Sequence, residues 1–245
     1  SSINKRIIKS LKKSDFVIAN SNFTKELGMK IGIESSKINV IFPGIEKPKN
    51  INEEYINEAK KIYLNSFPKI ITVARLDKRK GHDKILMSIK NFKVKYPKIK
   101  YVSVGFGDEE KNLIKFFKEL NIEDNVTFLK DIDENLKFAL MQEANLFLMP
   151  SRIEKKSVEG FGISFIEAAS YGVGSIGGKD GGAPDAISHD KTGIICDGTD
   201  LNSVYNSVDR FFRNNNYIEY GENAKKYSEN FYWNKIIKNY LNLIN

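Results

Sequence analysis

Short apolar runs alternate with amphipathic stretches over the middle of the chain. Compact β-branched runs predict strands at 69–74, 101–105, 126–129, 146–149, 173–176 and 193–196. Apolar residues at helical spacing predict helices at 85–96, 109–120, 134–142 and 163–171, with a short helix after Pro184. Alternating strands and helices are typical of βαβ units. We therefore expect an α/β fold, a Rossmann-like parallel sheet with helices on both faces.

The beginning of the chain has a pattern of its own. Residues 1–46 predict two helices and two strands, the strands at 16–19 and 38–42. Two strands and two helices bury too little surface to form an independent core. We interpret residues 1–48 as the incomplete tail of a second α/β lobe.

The main lobe follows a short connection and ends in helices. Residues 47–54 are polar and contain a proline, as a linker does. The pattern becomes helical only after Asp200, and 231–245 holds a last amphipathic helix. We therefore assign the main lobe to 49–230.

Composition narrows the class of protein. Of 245 residues, 41% are hydrophobic and 29% are charged, as in ordinary globular domains. The single cysteine, Cys196, excludes an internal disulfide and fits a reducing compartment, so we expect a cytoplasmic location. No run of about 18 apolar residues is present that would span a membrane as a helix.

The net charge of +8 is carried largely by lysine. A basic surface attracts nucleic acids or anionic membranes. Because Lys, Asn and Ile are abundant everywhere in the chain, a general compositional bias explains the charge better. We expect no nucleic-acid partner, and at most peripheral contact with the inner face of an anionic membrane.

Glu167 is the only acid or base between Gly160 and Gly178. It lies in the predicted helix 163–171, which is apolar on nearly every side and is therefore expected to be buried. An ionised carboxylate is almost never buried without a partner, because its desolvation costs several kcal/mol. No lysine or arginine is near it in sequence. Glu167 therefore either meets a distant basic residue or faces a polar ligand.

A basic loop follows the first strand of the main lobe. Ligands of open parallel sheets bind at the carboxyl ends of strands, and cations beside a glycine and a helix start suit phosphate. Arg75, Arg79 and Lys80 therefore form a candidate anion site, although a solvated loop of a lysine-rich protein has the same composition. Gly105 and Gly107 end the next strand, where glycines allow a close backbone approach or form a tight turn.

Two motifs match other kinds of site imperfectly. Residues 172–177 fit the dinucleotide pattern G-x-G-x-x-G, but a helix precedes these glycines and a strand overlaps them, the reverse of the nucleotide-binding order. Asp131 and Asp133 resemble a metal-binding pair, yet no third ligand stands at suitable spacing and Asp133 suits a helix cap. We expect neither nicotinamide binding nor a metal site.

Two further features have no assigned role. Residues 177–185 are glycine-rich and include a proline suited to the first turn of a helix, so their amides either cradle a diphosphate or form a flexible surface turn. His82 and His189 have no Ser or Cys partner in a nucleophile motif, and we assign neither a catalytic role.

In order along the chain, these motifs resemble those of the retaining, nucleotide-sugar-dependent glycosyltransferases of family 4, also called group 1. The resemblance is carried by Val73-Ala-Arg75-Leu, Arg79-Lys80-Gly81, Val104-Gly-x-Gly107, Pro150-Ser151, Glu159-Gly-Phe-Gly-x-x-x-x-Glu167-Ala and Gly181-Gly-Ala-Pro-Asp185. Each motif is short, but their common order and spacing are highly specific. The resemblance implies the GT-B fold, two Rossmann-like lobes facing across a cleft. This chain would hold the C-terminal, donor-binding lobe, with its last helix crossing towards the N-terminal lobe.

The resemblance also implies roles for single residues. Arg75 and Lys80, together with Arg79, would hold the donor diphosphate, and Glu159 would contact the donor sugar. Arg75, Lys80 and Glu159 are thus the catalytic candidates. Glu167 would bind the ribose hydroxyls. The other implied donor-binding residues are Arg79, Gly105, Gly107, Ile132 near the base, and Phe161, Gly162 and Ile163 through their backbone.

The implied reaction is transfer of a hexose from a nucleoside-diphosphate sugar to a glycan or lipid acceptor, with retention of configuration. Breaking the sugar–diphosphate bond builds negative charge on the leaving group, which fixed cations and amide dipoles stabilise without a metal. We therefore expect no cofactor. The Gly-Gly-Ala-Pro-Asp and Arg-Lys-Gly-x-Asp pieces are most similar to members that use GDP-mannose, while members with UDP-linked donors share most of these residues.

The chain also departs from the family pattern. Residues 172–176 are Gly-Val-Gly-Ser-Ile where the family has Gly-x-Pro-Val-Ile, and most of the N-terminal lobe, which supplies acceptor contacts, is absent. We therefore expect a piece of a longer enzyme that binds nucleotide but transfers nothing by itself. The alternatives are a nucleotide-sugar epimerase of the same fold and a non-catalytic nucleotide-binding module.

Overall fold

The computed structural model describes residues 2–244, which form eight strands and eleven helices with short 3₁₀ turns between them. The strands are β1 (Val17–Ala19), β2 (Ile38–Val40), β3 (Lys69–Val73), β4 (Lys100–Val104), β5 (Val126–Leu129), β6 (Leu146–Met149), β7 (Ser175–Gly178) and β8 (Gly193–Cys196). The helices are α1 (Ser2–Lys13), α2 (Asn22–Lys30), α3 (Glu53–Tyr63), α4 (His82–Lys95), α5 (Glu110–Glu119), α6 (Glu134–Glu143), α7 (Ile163–Ser170), α8 (Ala183–Ala186), α9 (Leu201–Phe212), α10 (Asn216–Ser228) and α11 (Trp233–Ile244). Every strand predicted from the sequence is present.

Six strands form one parallel sheet in the order β5-β4-β3-β6-β7-β8. Numbered within the sheet, this is the 3-2-1-4-5-6 order of the Rossmann fold, so the predicted architecture is confirmed. β3 pairs with β4 on one side and with β6 on the other, which places the topological switch point between β3 and β6. Ligands of open α/β sheets bind outside the carboxyl ends of the strands at this point.

Helices cover both faces of the sheet, as predicted. On one face α3, α6 and α7 contribute Tyr63, Leu140 and Phe165 to a core shared with β3 and β6. On the other face α4 and α9 contribute Leu86 and Phe211 to a second core. The strands lie between two apolar layers, which is why they appear in the sequence as continuous apolar runs.

The first part of the chain forms a small unit beside the main lobe. β1 and β2 pair in parallel over a core of Ala19, Ile33 and Ile38. β2 is shorter than predicted because Phe42 leaves the strand pairing and stacks on Phe161, with ring centroids 5.5 Å apart. The predicted strand pair is therefore present, but its end packs against the main lobe.

The connection to the main lobe runs beside the start of the last helix. Ile45 pairs with Tyr232 in an isolated parallel bridge, and the Ile45 N–H donates to the Phe231 carbonyl at 2.8 Å. The division of the chain at residues 48 and 230 stays a prediction. No helix among residues 2–244 has the length and apolar character needed to cross a membrane.

Two elements differ from the sequence pattern. α3 begins at Glu53, inside the predicted linker, because the Asn52 side chain accepts a hydrogen bond from Glu54 and caps the helix. β7 begins two residues later than predicted, since the Val173 N–H still donates to the Ala168 carbonyl at the end of α7. The helix-then-strand order around the 172–177 glycines is as predicted and unlike a dinucleotide fingerprint.

Candidate functional site

Three adjoining cavities open along the carboxyl edge of the sheet. The first, which we call the β3 cavity, lies at the ends of β3 and β4 and has a volume of about 450 Å³. Arg75, Gly105, Phe106, Ile132 and Lys137 are among its lining residues. Arg75 is exposed to solvent at this edge, where a bound anion can reach it.

The glycines at the end of β4 are required by close backbone contacts. Gly105 has a φ of +146°, and a Cβ there would lie 2.0 Å from the Ala74 carbonyl oxygen. A Cβ on Gly107 would lie 2.4 Å from the carbonyl oxygen of Leu76. The two glycines let the loop after β4 pack on the loop after β3, so they shape the β3 cavity through the backbone.

The second cavity, the α7 cavity, has a volume of about 300 Å³ and lies at the N-terminus of α7. Its lining residues from the main lobe are Lys80, Glu159, Gly160, Phe161, Gly162, Ile163 and Ser164. Asn20 and Pro43 of the first part of the chain close its other side. This cavity therefore lies between the two parts of the chain.

Glu159 joins two of the predicted cations in this cavity. Its Oε2 atom accepts a hydrogen bond from Arg79 Nη1 at 3.0 Å and a second from Lys80 Nζ. The three side chains are between 11% and 14% exposed, so solvent screens the cluster only in part. Glu159 therefore pairs with two cations of the candidate anion site.

Local hydrogen bonds fix the backbone that carries these cations. Asp77 caps the 3₁₀ turn Lys78–Lys80, accepting from the Lys80 N–H at 3.2 Å. On the other side, the Arg152 N–H after β6 donates to the Arg79 carbonyl at 2.9 Å. The basic loop after β3 is thereby tied to the loop after β6, across the switch point.

α7 begins directly beside the cluster. Gly162 has a φ of +90°, a left-handed conformation that lets the chain turn into the helix immediately after the Glu159 loop. The first N–H that donates within this turn is that of Phe165, to the Gly162 carbonyl. The preceding amides of Ile163 and Ser164 are among the N–H groups that a helix start leaves for an outside acceptor.

The glycine-rich loop supports the Glu159 segment. Gly181 and Gly182 are buried, and the Gly182 N–H donates to the Glu159 carbonyl at 2.9 Å. A Cβ on Gly182 would lie 2.0 Å from the Gly160 carbonyl oxygen. This part of the loop is packed rather than a flexible surface turn, and the amide of Gly182 is already engaged by the protein.

Glu167 lies in both of the environments that the sequence allowed. Its Oε1 atom is 3.4 Å from Nζ of Lys137, on the neighbouring helix α6. Glu167 also lines the third cavity, the linker cavity, of about 230 Å³. Pro48, Tyr171 and Trp233 are among the other lining residues. The carboxylate thus has a distant basic partner and also an open cavity beside it.

The three cavities share lining residues and form one continuous edge. Glu134 lines the β3 and linker cavities, and Ile163 lines the α7 and linker cavities. Among the predicted site residues, only Arg79 and Gly107 line none of the three. Arg79 is instead half-buried against Glu159, and its Nε atom is buried without a hydrogen-bond partner among the described residues.

Lys137 and Asn20 also lie along this edge, although they were not among the predicted site residues. Lys137 lies in the second turn of α6 and is flanked by apolar residues. A lone charge among apolar residues is the same signal that singled out Glu167. Asn20 lies beside Gly160, with its Nδ2 atom 3.0 Å from the position of a Cβ there. No local pattern marks Asn20. Asp133, by contrast, caps α6 as predicted, accepting from the Asn135 N–H at 2.7 Å.

Comparison with known proteins identifies the family. The family model for glycosyl transferases group 1 matches residues 49–231. The chain therefore belongs to this family of nucleotide-sugar-dependent glycosyltransferases, as its motifs predicted.

Curated relatives extend this similarity. The GDP-mannose-dependent alpha-(1-6)-phosphatidylinositol monomannoside mannosyltransferase of Mycobacterium tuberculosis is 32% identical over 151 residues, covering 61% of this chain and 39% of its own length. The N-acetyl-alpha-D-glucosaminyl L-malate synthase of Bacillus anthracis is 29% identical, covering 96% of this chain and 66% of its own. The chain thus spans about two fifths of the length of the mycobacterial relative.

Solved structures share the fold. The Anabaena protein HepE, crystallised with UDP and glucose, superposes with a TM-score of 0.82 at 19% identity, over 100% of this chain and 66% of its own. Sucrose-phosphate synthase from Thermosynechococcus elongatus gives a TM-score of 0.80 at 22% identity, over 100% of this chain and 61% of its own. The predicted GT-B architecture is thereby confirmed.

Proposed function

We propose that this chain provides the donor site of a glycosyltransferase that transfers a hexose from a nucleoside-diphosphate sugar to a glycan or lipid acceptor. One observation carries the proposal. Arg79 and Lys80, in the loop after β3, pair with Glu159, which lies in the loop between β6 and the N-terminus of α7. Two cations and a set of free helix amides suit a diphosphate. Arg75, exposed at the adjoining β3 cavity, adds a third cation.

Donor binding exchanges one anion for another in this arrangement. When a diphosphate enters the α7 cavity, its oxygens replace the Glu159 carboxylate at Lys80 and Arg79. The carboxylate is then free to accept hydrogen bonds from sugar hydroxyls. Glu159 and the diphosphate thus compete for the same two cations, and donor binding directs Glu159 to the sugar.

The same groups act on the leaving group during transfer. As the bond from the sugar carbon to the diphosphate oxygen breaks, negative charge grows on that oxygen, and the cations and amides stabilise it. Removing one such donor from comparable sites costs roughly 2.7–4 kcal/mol of transition-state stabilisation. Because side chains supply this positive charge, we propose a reaction without a metal ion, and with retention of configuration as in the family.

The nucleoside lies along the other two cavities in this proposal. Its ribose hydroxyls bond to Glu167, and its base enters the β3 cavity near Ile132. GDP-mannose is the favoured donor, because the mycobacterial relative that is named for it is 32% identical over 151 residues of this chain. The UDP complex of HepE, at 19% identity, supports a nucleoside-diphosphate ligand in this fold.

The acceptor is a glycan or a lipid-linked sugar in this proposal. The net charge of +8 supports peripheral contact with an anionic membrane, where such lipids lie. Sedimentation with phosphatidylglycerol vesicles tests the contact, which should disappear in high salt. Equal sedimentation with neutral phosphatidylcholine vesicles would contradict it.

Calorimetric titration tests the donor assignment. The chain is titrated with GDP, UDP, ADP and their sugars, with and without magnesium. We expect GDP and GDP-mannose to bind most tightly and magnesium to leave the affinities unchanged. Binding of none of these nucleotides would overturn the proposal. Release of free mannose from GDP-mannose without any acceptor would favour the hydrolysing chemistry of an epimerase-like enzyme.

A further inference from the structure

His82 is a buried imidazole with both ring nitrogens in contact with protein. It is 1% exposed and is the first residue of α4. Its Nε2 atom lies 3.3 Å from the carbonyl oxygen of Arg75, and its Nδ1 atom lies 2.9 Å from the Tyr101 hydroxyl. A helix of the outer layer is thereby joined to the loop that follows β3.

The contact continues through the sheet as a chain of polar groups. The Tyr101 hydroxyl on β4 lies 3.1 Å from Oγ1 of Thr72 on β3. Thr72 donates in turn to the carbonyl of Leu148 on β6. Tyr101, Thr72 and Leu148 are fully buried, so this network spans the three strands at the switch point without access to water.

The hydrogen-bond partners of His82 determine which ring nitrogen carries a hydrogen. The Arg75 carbonyl is only an acceptor, so Nε2 must carry a hydrogen for the contact to be favourable. Burial lowers the pKa of His82 to about 4, which leaves the ring neutral near pH 7. Nδ1 is then bare and accepts the Tyr101 proton. Since Thr72 gives its proton to Leu148, its oxygen is a second acceptor for the Tyr101 hydroxyl, 3.1 Å away.

The Arg75 carbonyl therefore receives two hydrogen bonds. One comes from the Asp77 N–H at 3.0 Å, within the turn that follows β3. The other comes from His82, which is fixed in the core. The peptide group that carries the exposed guanidinium of Arg75 is thus held from inside the protein, while its side chain remains at the β3 cavity.

We propose that His82 is a positioning residue for donor binding: its Nε2–H holds the Arg75 carbonyl and thereby sets where the Arg75 guanidinium meets the diphosphate. This inference rests on the proposed function. His82 does not touch the donor. His82 acts through Arg75. Its effect on the affinity should therefore disappear when the Arg75 side chain is removed, or when the ligand lacks the phosphate that Arg75 contacts.

A double-mutant cycle tests the inference. His82→Leu, Arg75→Ala and the double variant are titrated with GDP and with GMP. We expect His82→Leu to weaken GDP binding by about tenfold and GMP binding much less. In the Arg75→Ala background, His82→Leu should have no further effect on GDP. His82→Gln keeps an N–H donor of similar reach and should restore most of the lost affinity.

The outcomes separate the two proposals. Equal losses for GDP and GMP, or the same loss with and without the Arg75 side chain, would show a structural role only and overturn the inference. Failure of the unmodified chain to bind any of GDP, UDP and ADP would overturn the proposed function instead. If His82→Leu fails to fold, Tyr101→Phe removes the hydroxyl that orients the ring while keeping the imidazole. Its loss of affinity should again be specific to GDP and to the presence of Arg75.

Discussion

Lys137 Nζ and Glu167 Oε1 lie 3.4 Å apart on neighbouring helices, although thirty residues separate them in the chain. Lys137 lines the β3 cavity and Glu167 lines the linker cavity, so the pair lies where these cavities meet. The lone acid of α7 is therefore not an unpaired charge. It is half of an ion pair whose two members are 19% and 24% exposed and open to a ligand.

Glu167→Gln should weaken nucleotide binding without weakening the fold. Gln keeps one acceptor oxygen, so the change removes about one charged hydrogen bond of roughly 1.5–3 kcal/mol, and we expect the GDP affinity to fall about 10- to 100-fold. A partly exposed ion pair contributes only about 0–1 kcal/mol to stability. Calorimetry and thermal unfolding measure the two effects.

Glu119→Gln is the matched control for this change. Glu119 also pairs with a lysine, its Oε1 atom lying 3.7 Å from Nζ of Lys115, but it lines none of the three cavities. We expect its GDP affinity to stay close to that of the unmodified chain. The ribose role requires the Glu167→Gln effect to shrink with 2′-deoxy-GDP. An equal loss for GDP and its deoxy form would contradict it.

Phe106→Ala should weaken binding through the base. Phe106 is 63% exposed at the β3 cavity, where its ring offers a stacking surface. Base–aromatic stacking is worth about 1–3 kcal/mol, so a loss of about 5- to 100-fold in GDP affinity is expected. The control is Ile218→Ala, an exposed apolar residue on α10. Unchanged affinity in Phe106→Ala would place the base elsewhere.

Asp185→Ala should loosen the first part of the chain. The Asp185 carboxylate accepts from the N–H and the side-chain amide of Asn22, at 2.7 and 2.8 Å, at the start of α2. Losing about 1.5 kcal/mol from these charged hydrogen bonds should speed amide exchange in α2 about tenfold. Asp180→Ala, in the loop before α8, is the control. Identical exchange in the two variants would show that Asp185 does not hold α2.

His82 should make stability depend on pH. Burial lowers its pKa to about 4 from the ordinary 6.5, so the folded protein binds this proton less readily than the unfolded chain. The free energy of unfolding should therefore be highest above pH 6.5 and decrease as the pH falls towards 4. The corresponding loss is roughly 3 kcal/mol at the lower end.

Chemical denaturation across this pH range measures the loss. His82→Gln cannot titrate there and should show a much flatter profile. His189→Gln removes a half-exposed imidazole instead and should keep the profile of the unmodified chain. The prediction is wrong if the His82→Gln profile falls as steeply as that of the unmodified chain.

The sequence predicted most of the fold because each strand of the main sheet is buried on both faces. β6, for example, is entirely apolar and entirely buried, so its pattern was unambiguous. α3 was assigned to a linker in part, although Asn52 followed by two acids is a helix start that the sequence does show. Local sequence patterns were therefore sufficient to predict α3.

The contacts that complete the site were harder to predict from the sequence. The motif residues Lys80 and Glu159 could be placed at one edge because both follow strands beside the switch point. Their direct pairing depends on side-chain conformations that no spacing rule gives. Asn22 and Asp185 are 163 residues apart, and their contact depends on how the two parts of the chain pack.

The difference in affinity between GDP and GMP tests the central claim most directly. If Arg75, Arg79, Lys80 and the α7 amides hold a diphosphate, the unmodified chain should bind GDP at least about tenfold more tightly than GMP. Lys80→Met, which keeps the length of the side chain, should remove most of that difference while the fold is retained. Equal affinity of the unmodified chain for GDP and GMP would contradict the account.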